Sequence, residues 1–361
     1  MKAMASAEQI QTAAQAIRDG RLVVFPTETV YGLGADAGNE EAVARIFAAK
    51  GRPADNPLIV HLESIAWAEA VVDRLPPVAG VLFERFSPGP LTLVLPAHPS
   101  LPGIVTAGLD TVAVRIPSHP VARALLASCG RPVAAPSANR SGEPSPTTVG
   151  MARASLERGL VSSVGGESGG ITYIDGGPCE VGLESTVAAV SGRRVVILRP
   201  GSIGADDLQR AVPDAQIADA PSVDRIDRPV SPGLKHGHYR PGATVIAHDP
   251  QDESPDRLRS RILRSVPEGR ATVGVIGIAP TAVRIAAEIG RAAGRPGNRR
   301  PAETNQGLVR EAADAREYAH NLYRWFVELD GQGCEAIVAI LPPDQGVGRA
   351  LRDRITRAAG G

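Results

Sequence analysis

Apolar and polar positions along the chain follow two alternating periods, and their order defines an α/β protein. Ser6 to Arg18 has helical spacing, with Ser6 as the candidate N-cap and Gly20 just past the end. RLVVF (21–25) reads as a buried strand that stops at Pro26. Asn39 is placed to cap a helix whose Val43, Ile46 and Phe47 share one face, ended by Gly51 and Pro53. PLIVHL, LTLVLP and TVAVRIP are short apolar runs bounded by turn residues, hence strands. ITYID, STVAAV and RVVIL extend the series, with a helical stretch from Thr147 to Arg158 among them.

After about Ala211 the texture changes. Residues 213–242 are rich in Pro, Asp, Gly and Arg without a sustained period and read as a linker. Beyond it, TVIAH, ATVGVIGIA and EAIVAIL alternate with helical patterns at Glu311–Asp330 and Gln345–Ala358, which predicts a small parallel βαβ domain. The expected organisation is a domain over 1–212, a linker or flap over 213–242, and a small α/β domain over 243–361.

Composition narrows the function. Thirty-nine basic residues balance 39 acidic ones, so the chain has no general nucleic-acid coat. Cys129, Cys179 and Cys334 lie far apart, which argues against a disulfide scaffold or zinc site and fits a reducing cytosol. The N-terminus has no apolar h-region, and the uncharged stretch 86–109 is broken by five prolines. The expectation is a soluble, cytoplasmic protein. Thirty-nine glycines and 31 prolines predict many constrained loops.

Four of those loops carry candidate chemistry. PTETVYGLG (26–34) brings two threonine hydroxyls, a carboxylate and two glycines to a strand exit. Lys50-Gly-Arg52-Pro53, with Asn56 and then His61 on a strand, places two cations where a phosphate chain could lie. Helix-end chemistry explains the same lysine and glycine. In LDTVAVRIP, alternation puts Thr111, Ala113 and Arg115 on one strand face, and a buried arginine needs an anionic partner, either ligand or structural. AAPSANRSGEPSPT (134–147) offers Ser137, Asn139, Ser141 and Ser145 as an anion nest, although no Walker A loop occurs. DGGPCEVGLESTV (175–187) supplies Glu184, Ser185 and Thr186, and LRPG (198–201) supplies Arg199. SPGLKHGHYRP (231–241) is dense in polar groups for a spacer. Its His236 and His238 make a poor zinc set without nearby carboxylates or thiolates. A flap laying Tyr239 over a ligand explains it better.

Taken in order, FPTETVYGLG, KGRPADNPLIVH, SPGPLTLVL, AGLDTVAVRIP, APSANRSGEPSPT, DGGPCEVGLESTV, LRPG and SPGLKHGHYRP resemble the threonylcarbamoyl-adenylate synthases in their long form. NLYRWFVELD and QGVGRALRDRITRAA are similar to that family's ending, so the resemblance spans about residues 8 to 358. It implies a YrdC-like twisted mixed sheet with flanking helices around a basic cavity, plus a small C-terminal Rossmann-like α/β domain. The implied reaction joins L-threonine, bicarbonate and ATP into threonylcarbamoyl-AMP and pyrophosphate, for a partner transferase that modifies tRNA beside the anticodon. A weak direct tRNA contact is a further implied partner, and a membrane is not.

Residue by residue, the resemblance makes Lys50 and Arg52 the catalytic cations. Arg52, Asn56, Thr111, Ser137, Asn139, Ser145, Arg199 and Tyr239 would contact ATP. Thr29, His61, Arg115, Ala135 and Ser185 would line the threonine pocket. Mg2+ would arrive with ATP and bridge its phosphates, with no protein ligands. The chemistry demands positioning and charge neutralisation rather than an enzyme nucleophile. The linker departs from the family pattern at His236-Gly237 and Arg240, and 162–170 is unusually glycine-rich. A carbamoyltransferase like those of hydrogenase maturation is a weaker fit than a synthase, since the acylphosphatase-like region and zinc-type cysteines of those proteins are missing. A plain RNA-binding module would need an aromatic platform and a basic excess that the sequence lacks.

Overall fold

The computed structural model of the chain describes residues 5–160, 170–220, 239–265, 272–291 and 308–360. The chain divides into two compact units, Met1–Ser141 with Ser145–His236, and Gly142–Pro144 with Gly237–Gly361. Lys235, His236 and His238, and the glycine-rich stretch up to residue 169, lie outside the described residues.

The first unit is built on ten strands: β1 Val23–Phe25, β2 Gly32–Asp36, β3 Ile59–His61, β4 Leu91–Pro96, β5 Thr111–Arg115, β6 Val133–Ala134, β7 Thr172–Tyr173, β8 Thr186–Ser191, β9 Arg194–Arg199 and β10 Gln216–Asp219. They lie in the order β10-β9-β8-β4-β5-β3-β6-β2-β1-β7. Pairing is mixed, with β3–β5 and β4–β8 parallel and β4–β5 and β3–β6 antiparallel. The flanking helices are α1 Ala7–Arg18, α2 Glu40–Lys50, α3 Pro77–Phe86, α4 Gly103–Thr106, α5 Pro120–Cys129, α6 Val149–Leu160 and α7 Ala205–Ala211.

Local sequence sets the ends of the helices. At α1, Gln9 N donates to Ser6 Oγ (3.2 Å) and Ser6 N donates to Gln9 Oε1 (2.8 Å), a reciprocal capping box. At α2, Ala42 N donates to Asn39 Oδ1 (3.0 Å), and Gly51 adopts the left-handed conformation at φ 58° that closes the helix. That stop fixes Lys50 as the last helical residue.

The second unit is a four-stranded sheet in the order β11-β14-β12-β13, every pair parallel. Its strands are β11 Thr244–His248, β12 Val273–Ile278, β13 Val309–Ala312 and β14 Ala336–Ile340; its helices are α8 Pro255–Ser265, α9 Thr281–Arg291, α10 Ala315–Gly331 and α11 Val347–Ala358. Ile246, Leu258, Ile262, Val275, Ile285 and Val338 form its core.

Three sequence expectations change. The stretch from 213, read as a linker, begins with β10, whose four residues are too few to show a period and gain their order by pairing with β9. The helix expected over Glu311–Asp330 starts at Ala315, because Asp314 caps it by accepting from Arg316 N and Glu317 N; Val309–Ala312 is a strand. The glycine-bearing GLGAD, expected as loop, is β2, hairpin partner of β1. Among the described residues no helix is long and apolar enough to cross a membrane.

Candidate functional site

The centre of the larger sheet carries charge where apolar residues would be the rule. Register places Thr92 opposite Arg115, and Arg115 opposite His61, so β4, β5 and β3 contribute one polar row to one face. Arg199 of β9 continues the row through its pairing with Val187 of β8, which also pairs with Thr92. Two residues back, the same face carries Ile59, Val94 and Ala113, a small apolar floor joined by Val187. Thr92, Arg115, His61 and Arg199 are all buried.

Burial of an arginine here is tolerated only with partners, and loop 26–31 supplies those of Arg115. Arg115 Nη2 lies 2.7 Å from Glu28 Oε1, both side chains being about 5% exposed or less. Arg115 Nη1 donates to Thr29 Oγ1 (2.8 Å) and Nε donates to Gly89 O (3.3 Å). Ser118 N donates to the other carboxylate oxygen of Glu28 (3.2 Å). Burial pushes the Glu28 carboxyl up, but the Arg115 guanidinium and these donors outweigh it and hold Glu28 below the ordinary value. His61 is pushed down to about 3, first by burial and then by the Arg115 charge. It is therefore neutral at physiological pH, and its Nδ1 has no hydrogen-bond partner among the described residues.

At the other end of the row, Arg199 Nε and Nη2 donate to Ser185 O (3.1 and 3.0 Å), and Nη2 also reaches Ser185 Oγ (3.1 Å). Ser185 Oγ lies 2.7 Å from Thr92 Oγ1. LRPG can approach this closely because residue 201 is glycine: a Cβ there would fall 2.3 Å from Thr186 N.

A second group gathers around the end of α2. Lys50 Nζ donates to Ser137 O (2.5 Å) and also to Asn139 O, and its side chain is buried. Ser141 N donates back to Lys50 O (2.9 Å). Arg52 Nε donates to Asn56 O (3.1 Å) and Nη2 to Pro57 O (2.8 Å), which folds the guanidinium against its own loop. Backbone bonds lace the loops together: Tyr31 N to Pro146 O, Ala138 N to Tyr31 O, and Val181 N to Glu28 O, each 2.8 Å. Ser145 Oγ donates to Glu184 Oε1 (2.5 Å), both buried.

Thr29, His61, Arg115 and Ser185 therefore meet through the polar row, and Ala135 borders it through Ala135 N donating to Ile59 O (2.9 Å). Lys50, Ser137 and Asn139 are directly joined, with Arg52 and Asn56 beside them. Thr111 is half-buried at the far end of β5, about 13 Å along the strand from Arg115. Tyr239 falls in the second unit, in the left-handed region at φ 68°, stacked on Tyr323 (5.4 Å between centroids) with the Arg354 guanidinium 5.5 Å from its ring. Sequence reasoning missed Thr92, and it counted the Thr27 hydroxyl and the Glu28 carboxylate among the polar groups of loop 26–34 without giving either a role. The lone Thr in LTLVL was the available signal for Thr92, but its meaning depends on which strand lies opposite. Among the described residues, no group of three or more His, Cys, Asp or Glu is placed to hold a metal ion.

Comparison with known proteins agrees with this architecture. A family model described as telomere recombination matches residues 15–201, and one described as threonylcarbamoyl-AMP synthase, C-terminal domain, matches residues 203–360. The threonylcarbamoyl-AMP synthase of Pyrococcus abyssi is 38% identical over 354 residues, which covers 98% of this chain and 94% of that one. The synthase of Bacillus subtilis is 40% identical over 354 residues, covering 98% and 93%. The crystal structure of P. abyssi Sua5 complexed with L-threonine matches with a TM-score of 0.81 at 38% identity, covering 98% of this chain and 95% of that one. The chain belongs to the threonylcarbamoyl-AMP synthase family.

Proposed function

We propose that the chain acts as a nucleotidyltransferase that converts L-threonine, bicarbonate and ATP into threonylcarbamoyl-AMP and pyrophosphate, feeding the threonylcarbamoyladenosine modification of tRNA. The observation that carries this reading is the buried Arg115–Glu28–Thr29 constellation. An arginine fork held on two sides by a carboxylate and a hydroxyl is preorganised for a carboxylate, and hydroxyls and a neutral imidazole surround it. That set suits an amino acid with a polar side chain better than a phosphate alone.

In this reading Arg115 takes the carboxylate of threonine, while Thr29, Ser185 and neutral His61 meet its amine and hydroxyl. Threonine and bicarbonate combine as a carbamate, whose oxygen attacks the α-phosphate of ATP as pyrophosphate leaves. Lys50 and Arg52, held by carbonyls of their own and neighbouring loops, would offset the charge building on the phosphates. Asn56, Thr111, Ser137, Asn139, Ser145 and Arg199 would complete the nucleotide contacts, and the family resemblance adds Tyr239 to that set. Preorganisation costs stability before any ligand arrives, and it spares the reaction that reorganisation later. Mg2+ would enter as MgATP, carried by phosphate oxygens and water, because the acids near the site are committed to Arg115 and Ser145. We place the reaction in the cytoplasm, with a tRNA-modifying transferase as the consumer of the adenylate.

Mass spectrometry of the products formed from ATP, magnesium, bicarbonate and L-threonine tests the proposal, with pyrophosphate followed in parallel. Threonylcarbamoyl-AMP that requires both threonine and bicarbonate supports it. Pyrophosphate release indifferent to threonine contradicts it.

A further inference from the structure

The proton count around Thr27 singles out a residue that none of the ligand assignments includes. Thr27 is buried at 2% exposure, beside the fully buried Thr29. Its Oγ1 lies 2.7 Å from Val30 O, and a carbonyl oxygen can only accept. The single hydroxyl proton of Thr27 is therefore committed to Val30. Thr27 Oγ1 also lies 3.2 Å from the backbone N–H groups of both Thr29 and Val30, two long contacts that share one lone pair and leave the other for a third donor.

Thr29 Oγ1 lies 2.8 Å from Thr27 Oγ1. One of the two must donate, and Thr27 has no proton left, so Thr29 donates. Arg115 Nη1 donates to Thr29 Oγ1 at 2.8 Å, and a guanidinium never accepts. The Thr29 hydroxyl has thus given its proton away and filled one lone pair. Toward any third group it can only accept.

We infer that Thr27 is a positioning residue for the amino-acid substrate: by drawing off the Thr29 proton, it makes Thr29 an obligate acceptor for the substrate's ammonium or hydroxyl. This rests on the reading that Thr29 lines the threonine pocket. Beside it, the Arg115 guanidinium is an obligate donor. An acceptor and a donor side by side fix which end of the amino acid faces which residue, since a carboxylate oxygen directed at Thr29 would meet only a lone pair. A site built this way rejects a reversed ligand because the reversed pose leaves buried groups unpaired.

Kinetics of T27V, T27A, T27S and T29V, with KM measured separately for L-threonine and ATP, test the inference. T27V keeps the shape but frees the Thr29 proton, and it should raise the threonine KM about tenfold, with the ATP KM within about twofold. T27S keeps the hydroxyl and should restore values near the wild type, which a purely packing role for the methyl group would not allow. T27V should add little in a T29V background, because the two residues act as one unit. T27A carries the same comparison if T27V does not fold. Equal effects on both KM values, failure of T27S to rescue, or multiplicative effects in the double variant would overturn the role of Thr27. If T29V raises the threonine KM and T27V does not, this inference alone falls; if T29V leaves it unchanged, the amino-acid reading of Thr29 falls with it.

Discussion

The two sheets of this chain use similar apolar material for different ends. The central strands of the smaller sheet, β14 and β12, contain only Ala, Gly, Val and Ile. The central strands of the larger sheet, β4, β5 and β3, bury Thr92, Arg115 and His61 in one row. An apolar parallel sheet needs no further explanation than its core. A buried polar row lowers stability where its members lack partners, and here Arg115 and Thr92 find theirs in loops 26–31 and 175–185. The difference teaches where to look for chemistry: in the strands that carry what a stable core would leave out.

Breaking the row should have the largest effect. Arg115→Met leaves Glu28 buried without its counter-charge, which should cost about 3–5 kcal/mol of stability. Threonine-dependent turnover should fall by about a hundredfold or more, measured as kcat/KM for threonine at a temperature where the variant remains folded. Loss of stability with an unchanged kcat/KM would make the ion pair structural only.

Lys50→Ala comes next. Its charge lies at the loop carrying Ser137 and Asn139, so kcat should fall about a hundredfold. The threonine KM should move much less, which single-substrate titrations would show.

In the smaller sheet, Ile246→Ala should behave as an ordinary core truncation. The expected loss is about 2–5 kcal/mol of stability, read by denaturant melting, with the ratio of threonine to ATP KM unchanged. A changed ratio would mean that the apolar sheet takes part in ligand binding.

The last expected effect concerns pH. His61 is held at about 3 in the folded protein, below its ordinary value of 6.5. The unfolded chain therefore binds more protons between these values, and the stability from His61 is fully present above about 6.5 and is lost as pH falls toward 3. His61→Asn should flatten that part of the acid-denaturation curve. Threonine affinity of the wild type should show no histidine titration between pH 6 and 8, by calorimetry.

Much of this was legible in the sequence, for identifiable reasons. Ser6, Asn39 and Gly51 announce helix ends because capping is local chemistry, and their geometry appears as expected. Arg115 stood out because an arginine within TVAVRIP contradicts its own strand. Its partner stayed hidden, since Glu28 lies 87 positions away in a loop whose approach depends on sheet order. Thr92 and Thr27 are ordinary residues until pairing and proton counting give them a role. β2 and β13 escaped because glycine-rich and polar edge segments carry no clear period, and tertiary pairing supplies their order.

The most direct test of the central claim is a crystal structure of this chain with L-threonine. The account predicts the threonine carboxylate within hydrogen-bond distance of the Arg115 guanidinium, with the amine or hydroxyl facing Thr29. Threonine bound away from the polar row, with the Arg115–Glu28 pair undisturbed and unvisited, would contradict it.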